Sequence, residues 1–215
     1  MSSSVSLSRP LAVRRGQWLT WGTIAYNGLE GVLAIGAGLV ASSVALVGFG
    51  LDSFIEVSAS GAALWRLHHD ADLHARATSE RVALRLIGIS FIALAAYVTV
   101  AAVRSLLTQS PPAASVFGIV IAAASLVVMP LLARAKRRVA SQLSSSALTA
   151  EARQTDICMY LSALLLVGLG LHALLGWWWA DPVAALAMVP LIAHEGREAL
   201  KGRTVCAHCA PVLGG

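Results

Sequence analysis

The sequence predicts an all-α, polytopic membrane protein with six transmembrane helices and both termini in the cytoplasm. Composition is the first reason: 57% of the 215 residues are hydrophobic and only 13% are charged, with a mean hydropathy of +0.74, unlike a soluble domain. The second is segmentation. Six stretches, near 17–41, 42–66, 82–107, 113–135, 146–175 and 180–200, each supply the roughly 20 mainly apolar residues that a bilayer core requires. The third is that Lys and Arg gather at alternate loops, which sets orientation by the positive-inside rule.

The first apolar stretch is much longer than a signal-peptide core and has no clean small-residue cleavage site, so it reads as a true span behind a retained cytoplasmic segment, 1–16. Arg9, Arg14 and Arg15 precede helix one, and Arg66, Arg76, Arg81 and Arg85 flank the loop between helices two and three. Arg134, Lys136, Arg137 and Arg138 close helix four, while Arg197, Lys201 and Arg203 follow helix six. The opposite loops, around 41–43, 109–112 and 177–182, hold no Lys or Arg. Trp18, Trp21, Trp65, Trp177, Trp178 and Trp179 fall near the expected helix ends, as an interfacial aromatic belt does. The net charge of +5 therefore reports topology and contact with anionic lipid, not nucleic-acid binding. Asp181-Pro182 reads as a helix N-cap followed by a first-turn proline. A single domain, 17–200, is expected, with a cytoplasmic tail, 201–215, too short to fold alone; the location is the cell (plasma or inner) membrane.

Function is sought in what a membrane tolerates reluctantly. An ionisable side chain at a helix centre costs about 2.5–3.5 kcal/mol even on lenient insertion scales. Glu30 lies in helix one, Asp52 and Glu56 in helix two, and Glu151 and Asp156 in helix five, with Arg153 the only basic residue well inside the same helices. Together these acids represent on the order of 10 kcal/mol of insertion cost, which ion pairing alone does not explain. Asp52 and Glu56 are four apart and share a helix face. Asp52 and Asp156 are each expected roughly 15 Å deep from opposite ends of antiparallel helices, so acids of two helices meet near the midplane. Like charges so close are comfortable only when a cation or protons neutralise them. The direct chemical reading is a divalent cation exchanging with protons.

Helix five offers two faces: Glu151, Thr155 and Cys158 fall on one stripe, and Asp156 is rotated by about 100° from Thr155. Gln154 is placed to donate a supporting hydrogen bond to a liganding carboxylate.

Ser43-Val44-Ala45-Leu46 followed by Gly50-Leu51-Asp52-Ser53-Phe54-Ile55-Glu56 resembles helix two of the cation diffusion facilitator (cation efflux) family. Gln154-Thr155-Asp156 in helix five, Trp177-Trp178-Trp179-Ala180-Asp181-Pro182 before helix six, and the six-helix layout extend the resemblance from residue 17 to about 200. It implies proton-coupled export of divalent metal from the cytoplasm, usually by a homodimer, with the metal held between helices two and five; Asp52 and Glu56 match the family's acid pair. In helix five the family places His or Asp four residues before an Asp, whereas Ala152 stands four before Asp156. Either Asp156 keeps its role without that partner, or the register shifts so that Glu151 and Thr155 take the pair's places. The cytoplasmic C-terminal domain of many members is also missing from this expectation. The chain reads as a short member, a transporter and not an enzyme, with no bound cofactor beyond the transported ion.

Carboxylates and hydroxyls suit manganese or ferrous iron, imidazole and thiolate suit zinc, and cobalt and nickel stay open. Accessory candidates are Glu30 and Asn27 on an entry path, although Gly28, Gly31, Gly36 and Gly38 mark the same helix for packing. His68, His69, Asp70, Asp72 and His74 have the composition of a metal-collecting loop or of a solvated one. Cys206 and Cys209 form a lone C-x-x-C that needs two more ligands to close a tetrahedral site. Two competing readings are a non-transporting metal-sensing or interaction protein of the same fold, and a passive cation channel.

Overall fold

The computed structural model describes residues 3–68, 73–109, 113, 115–143 and 146–201. They form six helices and, among the described residues, no strand: α1 (Ser3–Ala41), α2 (Val44–His68), α3 (Leu73–Thr108), α4 (Val116–Leu143), α5 (Ser146–Leu175) and α6 (Ala180–Leu200). This is the polytopic all-α architecture that the apolar segmentation predicts. Five helices are long and apolar enough to cross a membrane. The sixth, α6, carries Asp181 at one end and Glu195, Arg197 and Glu198 near the other, which shortens its apolar run. Several helices outlast their expected spans: α1 begins at Ser3, α3 at Leu73, and α4 runs on to Leu143. Backbone hydrogen bonding has no reason to stop where the hydrocarbon does, so hydropathy marks the lipid-embedded part and not the helix end.

The helices close into a ring in the order α1, α2, α3, α6, α5, α4, with each packed on its neighbours and α4 returning to α1. Across the ring, α2 also meets α5. Apolar side chains such as Leu29, Val32, Val100, Leu107, Val120, Leu131 and Val167 face outward, as a lipid solvent allows. Trp18, Trp21, Trp65, Trp177 and Trp179 are exposed, and the rings of Trp177 and Trp179 stack with centroids 5.0 Å apart. Inside, an apolar core built on Leu46, Phe49, Phe91, Leu161, Leu165 and Leu169 occupies one end of the bundle. A smaller cluster of Ala12, Val139, Ala140, Leu143 and Leu148 joins α1, α4 and α5 at the end rich in Lys and Arg. The acids Glu30, Asp52, Glu56 and Glu151 and the ammonium of Lys136 lie buried between the two.

Two close crossings fix the ring. A Cβ on Gly50 would stand 2.9 Å from the Ile35 nitrogen and 3.0 Å from the Gly31 carbonyl, so α1 and α2 touch backbone to backbone. A Cβ on Gly88 would stand 2.9 Å from the Gly196 carbonyl, which does the same for α3 and α6. This is the small-residue packing of membrane helices, but Gly28 and Gly36 take no part, since nothing lies within 4 Å of their Cβ positions.

Asp181 departs from its expected role. Trp179 is the N-cap of α6 and makes no side-chain cap. The Asp181 carboxylate instead accepts from Ser43 Oγ and from the Val44 backbone N–H at 3.0 Å. Ser43 Oγ in turn accepts the Leu46 N–H at 3.1 Å, so a residue of α6 completes the N-terminal cap of α2. The orphan N–H groups of a buried helix start need an acceptor, and the nearest one comes from a distant part of the chain.

Two stability outcomes follow, each read by thermal unfolding in detergent. Gly50→Ala should cost about 1–3 kcal/mol by forcing α1 and α2 apart, whereas Gly36→Ala should cost nothing; equal effects would refute the crossing. Asp181→Ala should lose about 1–2 kcal/mol as α2 loses its cap.

Candidate functional site

The 3.6-residue period of α2 turns Asp52, Glu56 and Ser60 to the interior, and that of α5 turns Glu151, Thr155, Cys158 and Ser162 towards them; all are buried. From α1, the same stripe rule brings Thr20, Thr23, Asn27 and Glu30 inward. Glu30, Asp52, Glu56 and Glu151 are each at most 4% exposed.

Of the two faces that α5 offers, the structure puts Glu151 and Thr155 among these acids. Thr155 Oγ1 donates to Glu56 Oε1 at 2.6 Å, one of two direct links between α5 and α2. Glu151 Oε1 accepts from Ser60 Oγ at 2.8 Å, and Glu151 Oε2 from Thr20 Oγ1 at 3.4 Å. Asp156 is turned away to a partly exposed position, where it pairs with the half-exposed Arg137 of α4. Gln154 is partly buried, and its Nε2 meets no hydrogen-bond partner. The loop residues His68, His69, Asp70 and His74, and the tail residues Cys206 and Cys209, lie outside the residues whose side chains are described.

Among the residues whose side chains are described, one cation stands among the acids. Lys136 of α4 is fully buried, and its Nζ lies 3.0 Å from Glu151 Oε1, 3.6 Å from Glu56 Oε1 and 2.9 Å from Thr155 Oγ1. The ammonium is thus within hydrogen-bond distance of Thr155 and Glu151 on α5 and within ion-pair distance of Glu56 on α2. The sequence reading placed Lys136 with its arginine neighbours at the cytoplasmic end of helix four. A signal was nevertheless present: Ala122, Ser125, Met129, Ala133, Lys136, Ala140 and Leu143 form the buried stripe of α4, and Arg134, Arg137 and Arg138 fall off it and are exposed.

Away from Lys136, the polar interior is incompletely satisfied. Glu30 Oε2 accepts from Ser53 Oγ at 3.1 Å, but Glu30 Oε1, Asp52 Oδ1, Glu56 Oε2, Ser125 Oγ and both amide atoms of Asn27 are buried with no hydrogen-bond partner. The Cys158 thiol lies within reach of the Asp52 and Glu56 carboxylates. Among the described residues no three His, Cys, Asp or Glu side chains converge closely enough to hold a metal ion as they stand. The arrangement is a set of acids drawn partly together by an ammonium, with free acceptors on the side the ammonium does not reach. Chemically it can take up a cation, protons or both.

The two faces of α5 differ in what their loss should do to stability, again by thermal unfolding in detergent. Glu151→Ala leaves a buried ammonium short of its nearest carboxylate and should cost on the order of 3 kcal/mol. Asp156→Ala removes a partly solvated pair and should cost about 1 kcal/mol or less; a reversed order would refute the placement.

Residues 23–203 match the family model described as the cation efflux transmembrane domain. The match takes in α1 from residue 23 onward and all of α2 to α6, so every acid of the buried cluster falls within it.

Proposed function

The chain belongs to the cation efflux family, and on that premise we propose that it exports a divalent metal ion from the cytoplasm in exchange for protons. Members of the family are transporters, not enzymes. The metal ligands in this reading are Asp52 and Glu56 of α2 with Glu151 and Thr155 of α5. Asp156, paired with Arg137 at the bundle surface, is left out of the set.

The observation that carries the reading is the pair of unpartnered oxygens, Asp52 Oδ1 and Glu56 Oε2, on adjacent turns of one helix. A buried acceptor without a donor costs free energy, and two of them on one face are relieved together by one cation or by protons. This is the chemistry of an exchanger. From the cytoplasm a divalent ion enters the acids and displaces protons. The helices then rock to expose the site to the other side, where protons compete for the carboxylates and release the metal, an alternating-access cycle around a midplane site. The donor set is mostly carboxylate and hydroxyl, which suits manganese or ferrous iron, and Cys158 adds a softer group within reach that suits zinc or cobalt.

Uptake into inside-out proteoliposomes tests this, with zinc, manganese, iron, cobalt and nickel in turn, with and without an imposed proton gradient. Gradient-driven uptake of at least one ion is expected, falling ~10-fold or more in Asp52→Ala and staying within about twofold of wild type in Asp156→Ala. Flux indifferent to the gradient would make the protein a channel or uniporter. Binding without flux under every gradient would make it a metal-binding protein that does not transport.

A further inference from the structure

Lys136 is a buried charge whose position the exchange mechanism does not explain. Its neighbours Arg134, Arg137 and Arg138 are exposed, as cations at a membrane face should be, yet Lys136 turns its whole side chain into the ring. It ends on Glu151 Oε1, Thr155 Oγ1 and Glu56 Oε1. These are the oxygens through which a metal ion would bridge α2 and α5. An ammonium and a divalent cation a few ångströms apart in a low-dielectric interior repel strongly, so the two cannot occupy that position together.

We propose, resting on the transporter reading above, that Lys136 is a tethered counter-cation: it fills the cation position between Glu56 and Glu151 when the carrier is empty and is expelled when metal binds. The side chain is suited to this. A lysine is a compact charge on a four-carbon stem, and from α4 it can extend towards the end of the bundle where its arginine neighbours meet water. The ion has a first foothold before the ammonium leaves, because Asp52 Oδ1, Glu56 Oε2 and Glu30 Oε1 are buried without a hydrogen-bond partner. The device determines selectivity and cycle together. Only an ion that binds the acids better than the chain's own ammonium can load, and the empty carrier returns with Glu56 and Glu151 already compensated.

The test uses the full chain and three readouts. Binding of manganese, cobalt and zinc is measured in nanodiscs for wild type and Lys136→Met. If Lys136 occupies the position about nine-tenths of the time, its removal should tighten binding ~10-fold, since only the unoccupied fraction accepts metal. In proteoliposomes, Lys136→Met should keep metal-for-metal exchange, in which the carrier never returns empty, while net uptake falls ~10-fold. A lysine that merely cements three helices would, when removed, depress both flux modes together and leave binding unchanged or weaker; that result overturns the proposal. The third readout needs no variant and stands if Lys136→Met does not fold. Labelling of wild-type Lys136 by a small amine-reactive reagent, followed by mass spectrometry, should rise severalfold under saturating metal, and no rise overturns the proposal. Wild-type liposomes that take up none of the ions would sink the transporter reading instead, and binding and labelling would then decide Lys136 alone.

Discussion

Carboxylates that have been taken out of water must be compensated, and this constraint organises the bundle around the contact of Lys136 with Glu56, Glu151 and Thr155. Neither carboxylate faces water in the described conformation, since each is almost wholly buried. The ammonium therefore ties α4 to α2 and α5 at the place where α2 and α5 meet across the ring. Other polar residues arrange themselves around that knot: Ser60 and Thr20 complete Glu151, and Ser53 serves Glu30. Replacing a buried ion pair by apolar residues is often neutral or even stabilising. Stability alone is thus a poor reason for the chain to keep so many charges at its centre, and a function that uses them is a better one.

Much of this was legible in the sequence, for an identifiable reason. The cost of a charge in hydrocarbon makes Glu30, Asp52, Glu56 and Glu151 conspicuous, and a spacing of four places Asp52 and Glu56 on one face without any tertiary information. The number of helices followed from the apolar stretches, whereas their packing order did not. What was not legible depended on neighbours. In α5 both faces are largely apolar, so periodicity could not choose between Glu151 and Asp156; the choice is visible only once Ser60 and Thr155's partner Glu56 stand on one side and Arg137 on the other. Lys136 was masked by the three arginines around it, although the inward stripe of α4 runs through it. Asp181 misled because a local rule, an acid before a helix-starting proline, was overruled by helix α2 needing an acceptor at its own start.

The same acids are enclosed at both ends. Large side chains, Phe49, Leu46, Leu165 and Leu169 among them, fill one end, and a smaller, alanine-rich cluster fills the end bearing the basic residues. In the described conformation each of these acids is almost wholly buried. Parting the alanine-rich cluster exposes less apolar surface than parting the larger one, so the two closures differ in cost.

The backbone contact between Gly31 and Gly50 adds a mechanical consequence. Their backbones meet there with the Ile35 and Phe54 side chains packed at the same crossing, which leaves α1 and α2 little room to slide and makes them one beam. Glu30 and Asn27 on one helix, and Asp52 and Glu56 on the other, are thereby mounted on the same rigid part. Any displacement that changes the spacing among the acids has to occur where that beam meets α5, at the joint that Thr155 and Lys136 bridge.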